Sequence, residues 1–241
     1  TGIATAYMDS IPMVIITANV ANSLIGRDAF QETCITGITF PVTKHSYFVN
    51  KTNELADALR NAFRIANEGR KGPVLVDITK DVTGATVDYQ PAPNCELKKV
   101  QQEELDKKIA SFAKYINKAE KPVLYLGGGV IASEASEEVM RLMEKADIPA
   151  VNSMMAAGAV PVTDDRSFGM LGMHGSYAAN KCIAEADLVL AVGTRFSDRV
   201  ALNPKKFASK AKILQIDIDK SEVSKNVIVN DAIVGDCREV L

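Results

Sequence analysis

Apolar residues come in blocks along this chain, and the spacing inside each block predicts an element. Met13-Val14-Ile15-Ile16 runs unbroken to Thr17 and predicts a strand buried on both faces, as in a parallel sheet. A short helical stretch, Gly2 to Asp9, feeds into it. The segment from Ala18 to Glu32 is polar. Asn53 stands where it can cap a helix whose apolar stripe is Leu55, Leu59, Phe63 and Ala66, and Gly69 ends that helix. Pro73 to Ile78 predicts a second buried strand.

From about Asp81 to Lys99 the periodicity lapses, and Gly84, Pro91, Pro93 and Asn94 punctuate a predicted linker. Beyond it the blocks resume. Leu105, Ile109, Phe112 and Ile116 share one helical face. Pro122–Leu126 reads as a strand that runs into Gly127-Gly128-Gly129. A helix follows over roughly Ser133–Ala146, with Val139, Leu142, Met143 and Ala146 inward. A strand at Ile148–Asn152, a helix near Ser176–Glu185, and strands at Asp187–Val192 and Lys212–Ile218 complete the series. The last residues, from Val234 to Leu241, read as a loop entering a helix. Strands alternating with helices at this spacing predict a parallel, Rossmann-like α/β sheet with helices on both faces. No internal repeat or low-complexity tract interrupts it.

Composition narrows the functions. Of 241 residues, 47% are hydrophobic and 24% charged, with a formal net charge of −2, so no basic surface for nucleic acid is expected. The longest apolar runs are too short to span a bilayer, and no secretory leader is expected at the N-terminus. Four widely spaced cysteines (Cys34, Cys95, Cys182, Cys237) and two histidines argue for reduced cytoplasmic thiols and against a metal cluster.

The candidate chemistry lies where strands end. Gly127-Gly128-Gly129-Val130-Ile131-Ala132 fits G-x-G-x-x-A between a strand and a helix, a loop whose backbone can approach a pyrophosphate. The alternative is a tight turn. The next strand ends near Asn152-Ser153 without the acid that an NAD site wants, so ordinary NAD binding is disfavoured. Asp217 and Asp219 end a later strand, where a carboxylate can accept bonds from ribose hydroxyls; a solvated acidic turn is the plainer reading. Arg195 and Arg199, in Gly193-Thr194-Arg195-Phe196-Ser197-Asp198-Arg199, could bind phosphate or carboxylate bidentately, or simply pair with Asp198. The loop Gly169 to Gly175 joins Met170, Met173 and His174 to glycines that let a backbone lie close to a flat ligand; methionines more often fill core gaps. The segments from Asp28 to Glu32 and from Thr43 to His45 read as a polar loop with one aromatic anchor and a cation, without a role that chemistry alone assigns.

Taken together, Ser23 to Glu32, Gly69 to Asp77, Leu171 to Gly175 and Gly193 to Arg199 closely resemble the large, catalytic subunits of the acetolactate (acetohydroxyacid) synthase family of thiamine-diphosphate enzymes, in order and spacing. The resemblance covers essentially the whole chain. It implies a piece of a longer protein, unable to catalyse alone: residues 1–84 as the C-terminal part of a pyrimidine-binding α/β domain, 85–99 as linker, and 100–241 as a truncated FAD-binding (DHS-like) central domain. The activating glutamate and the Mg²⁺-diphosphate motif would lie beyond the two ends. The resemblance carries an FAD site onto Arg70, Gly127, Gly128, Gly129, Ser153, Met154, Leu171, Gly172, Met173, His174, Gly193, Arg195, Asp217, Ile218, Asp236 and Cys237. It carries substrate-side roles onto Phe30, Gln31, Lys44, Met173 and Arg199. It implies thiamine diphosphate, Mg²⁺ and FAD as cofactors, with no net redox step at the flavin. It implies small 2-oxo acids as substrates, a homo-oligomer (dimer or tetramer), a small regulatory subunit and a cytoplasmic location. The chain departs from the family at Ala18-Asn19-Val20-Ala21, where Gly-Gln-Val-Pro is usual, and at Ser197, where an aspartate is usual. Other carboligases or oxidases of the superfamily (glyoxylate carboligase, pyruvate oxidase) and a stand-alone nucleotide-binding module are the competing readings.

Overall fold

The computed structural model describes residues 1–89, 91 and 102–241. Most of the expected linker, 90 and 92–99, lies outside the described residues. The chain divides into two compact units, Thr1–Leu97 and Lys98–Leu241.

The first unit contains α1 (Gly2–Met8), β1 (Met13–Asn19), α2 (Ile35–Thr39), β2 (His45–Val49), α3 (Leu55–Asn67), β3 (Pro73–Thr79) and α4 (Lys80–Gly84). Its sheet is parallel with strand order β1-β3-β2. The central strand β3 is buried at every position, its apolar residues interrupted by Asp77, whose carboxylate accepts from Thr17 and Asn19 of β1. The expectation of double-sided burial fails for β1, an edge strand on which Ile16 is 61% exposed. The expected α3 stripe is also corrected. Phe63 is 60% exposed, and the face packed on β3 is Ala58, Ala62 and Ala66, flanked by Leu55, Leu59 and Ile65. Small residues there let the helix sit close to the strand. Asn53 does not cap α3; a 3₁₀ turn, Thr52–Glu54, leads into it without a side-chain cap. The strand β2 was not foreseen, because His45, Ser46 and Tyr47 break any apolar run.

The second unit contains α5 (Gln102–Ile116), β4 (Pro122–Leu126), α6 (Gly128–Ala132), α7 (Ser136–Ala146), β5 (Ala150–Asn152), β6 (Ser167–Met170), α8 (Tyr177–Glu185), β7 (Leu188–Val192), β8 (Lys212–Asp217), β9 (Asp231–Val234) and α9 (Cys237–Val240). All six strands are parallel, in the order β6-β5-β4-β7-β8-β9. Counted along the chain this is 3-2-1-4-5-6, the doubly wound order of dinucleotide-binding folds.

Alternate residues feed two cores. Leu124, Leu126, Leu188, Leu190, Val192, Leu214 and Ile216 face α5, α7 and α9. Val123, Tyr125, Val189, Ala191 and Ile213 face α8 and the irregular β7–β8 connection. That connection has no helix; Phe196, Phe207 and Ala208 fill the space a helix would occupy, and Tyr125, Phe196 and Phe207 form a ring cluster with centroids 5.6–6.3 Å apart. The helix expected from Ser133 starts at Ser136 instead, because Ser133 ends α6, and Ala146 is exposed rather than inward. Short β6 and β9, with few consecutive apolar residues, were not foreseen. Among the described residues no helix is long and apolar enough to cross a membrane.

Candidate functional site

In a parallel sheet every strand delivers its following loop to the same edge. The 3-2-1-4-5-6 order opens a switch point between β4 and β7, where the chain departs in opposite directions. The glycine run after β4 meets Gly193-Thr194 after β7 there. The Gly127 amide donates to the Val192 carbonyl, and the Gly129 amide to the Gly193 carbonyl, both at 2.9 Å. A Cβ on Gly127 would lie 2.1 Å from the Gly193 oxygen, and one on Gly129 would lie 2.6 Å from the Gly193 Cα. Gly193 itself has φ +58°. The glycines at 127, 129 and 193 are therefore required by backbone packed on backbone, whatever else the run binds.

The next loop along the edge follows β6. The Leu171 amide donates to the Asn152 carbonyl, and the Met173 amide to the Arg199 carbonyl, both at 2.9 Å. Gly172, at φ +103°, has the Arg199 oxygen 2.5 Å from where a Cβ would stand. Asn180 of α8 clasps the same turn, its Oδ1 accepting from the Gly172 amide and its Nδ2 donating to the Gly172 carbonyl. Met173 and Arg199, two residues with implied substrate-side roles, thus share one backbone junction. Both side chains are exposed, as is His174.

Arg195 is half-buried at the same edge. Its loop is held from below by the buried Phe196, which adopts φ +49°, and by Thr194, whose hydroxyl bonds the buried Tyr125. Burial raises the Tyr125 pKa. Gln215, wholly buried in β8, donates to the carbonyls of Thr194 (3.3 Å) and Glu222 (3.4 Å), and Asn226 donates to the Arg195 carbonyl (2.8 Å). These three supports were not singled out from sequence. Gln215, an amide amid Ile213, Leu214 and Ile216, was the one detectable signal.

At the end of β8 the buried Asp217 carboxylate accepts from the Asp219 amide at 2.9 Å, while Asp219 caps a 3₁₀ turn by accepting from Ser221. After β9, Asp236 caps α9 by accepting from the Arg238 amide at 2.8 Å. Cys237 is buried beneath it, and burial together with the Asp236 and Asp217 carboxylates pushes its thiol pKa up to about 12. Its side chain sits within the core and does not line the edge. Ser153 and the exposed Met154 begin the turn after β5.

Met154 (71% exposed), Met173 (54%) and Ile218 (40%) present apolar side chains from three different loops along this one edge, beside half-buried Arg195 and the Asp217 carboxylate. Exposed apolar groups flanking a cation and a carboxylate fit a ligand with a flat apolar ring, a phosphate and a ribose.

The remaining candidates lie in the first unit. Three left-handed residues, Gly26, Asp28 and Gln31, coil the loop before Glu32. The Glu32 carboxylate holds it by accepting from the amides of Gly26, Arg27 and Ala29, and these bonds lower its pKa. Phe30 projects from that loop at 89% exposure, with Gln31 also exposed. Lys44 donates to the Ile65 and Glu68 carbonyls at the end of α3, and burial lowers its pKa. Arg70 donates to the Ser10 hydroxyl at 2.9 Å. Asn19, in the segment that departs from the family pattern, donates to the buried Asp77 carboxylate (2.7 Å) and to the Thr33 carbonyl (3.2 Å), tying the end of β1 to β3. Among the described residues no group of three or more His, Cys, Asp or Glu could hold a metal.

The family described as thiamine pyrophosphate enzyme, central domain, matches residues 109–241. The whole chain aligns with the acetolactate synthase large subunits of Haemophilus influenzae (44% identical) and Corynebacterium glutamicum (46%), and with the acetolactate synthase of Mycobacterium leprae (45%). It spans 39–43% of the length of these relatives.

Proposed function

The chain belongs to the thiamine pyrophosphate enzyme family, and from that premise we propose that it is part of an acetolactate synthase large subunit whose second unit binds FAD along the carboxyl edge of its sheet. The observation that carries the flavin reading is the line of exposed Met154, Met173 and Ile218 beside Arg195 and Asp217. Arg195 would hold the pyrophosphate, Asp217 a ribose hydroxyl, and the two methionines the ring. FAD, when bound, would supply a structural platform and no net redox step. The reaction of the whole protein is decarboxylation of pyruvate and addition to a second 2-oxo acid, pyruvate or 2-oxobutyrate. Thiamine diphosphate with Mg²⁺ supplies the carbanion-stabilising chemistry.

Within that reaction the chain's own residues bind and orient. Arg199 offers a planar fork for the carboxylate of the second 2-oxo acid, and Met173, joined to it through the backbone, supplies an adaptable apolar contact. Phe30 and Gln31, on an exposed loop of the first unit, would carry the substrate-side roles that the resemblance implies for them. Lys44 is committed to helix carbonyls, which supports a positioning role rather than contact with substrate. A cytoplasmic homo-oligomer with a small regulatory subunit completes the reading. The test is a titration of the chain with FAD, followed by quenching of flavin fluorescence. Saturable quenching that Arg195→Ala abolishes supports the assignment, whereas retention of NAD and rejection of FAD would overturn it.

A further inference from the structure

At the opposite edge of the same sheet lies a cavity of about 570 Å³, between the end of α5 and the starts of β7 and β8. Lys114, Lys118, Lys210 and Lys212 line it, with Tyr115 and Asp187. This is the amino-terminal end of the strands, about 13 Å of extended backbone from the flavin edge, and no role proposed above involves it. We propose that this cavity is a binding site for a small polyanion carrying linked phosphate groups, a di- or triphosphate chain.

The charge balance supports an anion. Among the described residues Asp187 is the one carboxylate lining the cavity, and its two oxygens accept from the backbone amides of Glu120 (2.7 Å) and Lys121 (2.9 Å). It anchors the turn into β4, and among the described residues no ion pair joins it to the lysines. Among the described residues, Lys114, Lys118 and Lys210 have no ion-pair partner, although four such ammonium groups repel one another. Lys212 is set over the Tyr115 ring at 5.1 Å, which holds one cation in place before any ligand arrives.

The plainer account is that Lys114 and Lys118 complement the dipole at the end of α5. That accounts for the two lysines on the helix. It leaves Lys210 and Lys212, which come from the β7–β8 connection and the start of β8, converging on the same concavity. A volume of this size lies within the range of small-molecule sites. A compact ligand with several adjacent negative charges matches four point cations around one hollow better than a single carboxylate would.

The experiment is calorimetric titration of the 241-residue chain with inorganic tripolyphosphate at physiological ionic strength, without divalent cations. Saturable binding at one site is expected. Lys114→Gln with Lys210→Gln should weaken it by about tenfold or more, while Lys145→Gln with Lys205→Gln, the same charge change away from the cavity, should alter it less than about twofold. Lys114→Arg with Lys210→Arg should retain binding, and circular dichroism should show all three pairs folded. Equal affinity for a nucleoside triphosphate assigns recognition to the phosphate chain alone, and tighter binding of the nucleotide assigns it a nucleoside source. Absence of saturable binding, or equal losses in the two glutamine pairs, would overturn the proposal.

Discussion

Replacing Gly127 with alanine tests whether the glycine run is dictated by loop packing. The new Cβ would stand 2.1 Å from the Gly193 oxygen and 2.5 Å from the Thr194 Cα, both backbone atoms that no rotamer change can move. Ordinary contact needs more than a further ångström, so the β4 and β7 loops must part. Parting stretches the Gly127–Val192 and Gly129–Gly193 hydrogen bonds, now 2.9 Å each. Overpacking costs about 1–3 kcal/mol and each of the two weakened buried bonds about 0.5–1.5 kcal/mol, which together give about 2–6 kcal/mol. Gly128→Ala in the same run is the internal control. Its Cβ would meet Met155 alone, the Met155 Cβ at 3.1 Å and the carbonyl oxygen at 3.9 Å, which asks for a shift of a few tenths of an ångström, and the better helix propensity of alanine in α6 offsets that strain, so the net effect should lie near neutral. Urea unfolding followed by circular dichroism reads both variants. Equal unfolding midpoints for the two would refute the packing argument. If the run also cradles a pyrophosphate, Gly128→Ala should weaken FAD binding while leaving the midpoint unchanged.

Other consequences follow from the same geometry. Cys237, with its thiol pKa pushed up to about 12, should resist alkylation at pH 8 until urea is added, whereas the exposed Cys34 should react at once; mass-spectrometric mapping of the labelled peptides separates them. The lowered pKa of Glu32 means that its carboxylate holds the Phe30 loop above the ordinary carboxylate pKa of ~4.3 and releases it as pH falls through the lower, folded value. Protection of the Gly26, Arg27 and Ala29 amides relative to their intrinsic exchange rates, measured by NMR, should therefore be lost only in acid, and Glu32→Gln should show the lowered protection at neutral pH. If the proposed function holds, Arg199→Lys in the full-length protein keeps the charge but loses the fork, so addition to the second 2-oxo acid should fall by about tenfold while FAD affinity holds; equal loss of FAD binding, decarboxylation and addition would reject the substrate role.

The fold was legible wherever apolar residues dominated a segment. β3, β4, β7 and β8 announce themselves because they lie inside their sheets and are covered on both faces. The strands β2, β6 and β9 are short edge strands with polar or glycine positions, and what makes them strands is pairing with a neighbour far away in sequence. For the same reason β1 was identified as a strand but misjudged in burial: Ile16 and Val74 are equally apolar, and only strand order separates an edge from a centre. Phe63 shows the limit on helices. Its spacing puts it on a plausible stripe, yet α3 turns its alanines inward because close approach to β3 favours small side chains over one large ring.

The candidate site was legible as a set of loop ends, because a parallel sheet sends every strand's exit to one edge and the motifs mark those exits. What the sequence could not reveal is how the exits are held. Gly127, Gly129 and Gly193 read as a ligand's imprint, but in the structure they are first the imprint of each other. Gly172 and Arg199 likewise meet through backbone, clasped by Asn180 from a helix that carried no functional signal. Two motif residues far apart in sequence are coupled by one hydrogen bond, from the Met173 amide to the Arg199 carbonyl. A substitution in either loop therefore displaces the other, and the two motifs cannot be varied independently. A backbone role and a ligand role for these two loops separate in a variant such as Met173→Ala, which leaves the Met173 amide bonded to the Arg199 carbonyl and removes only the exposed side chain.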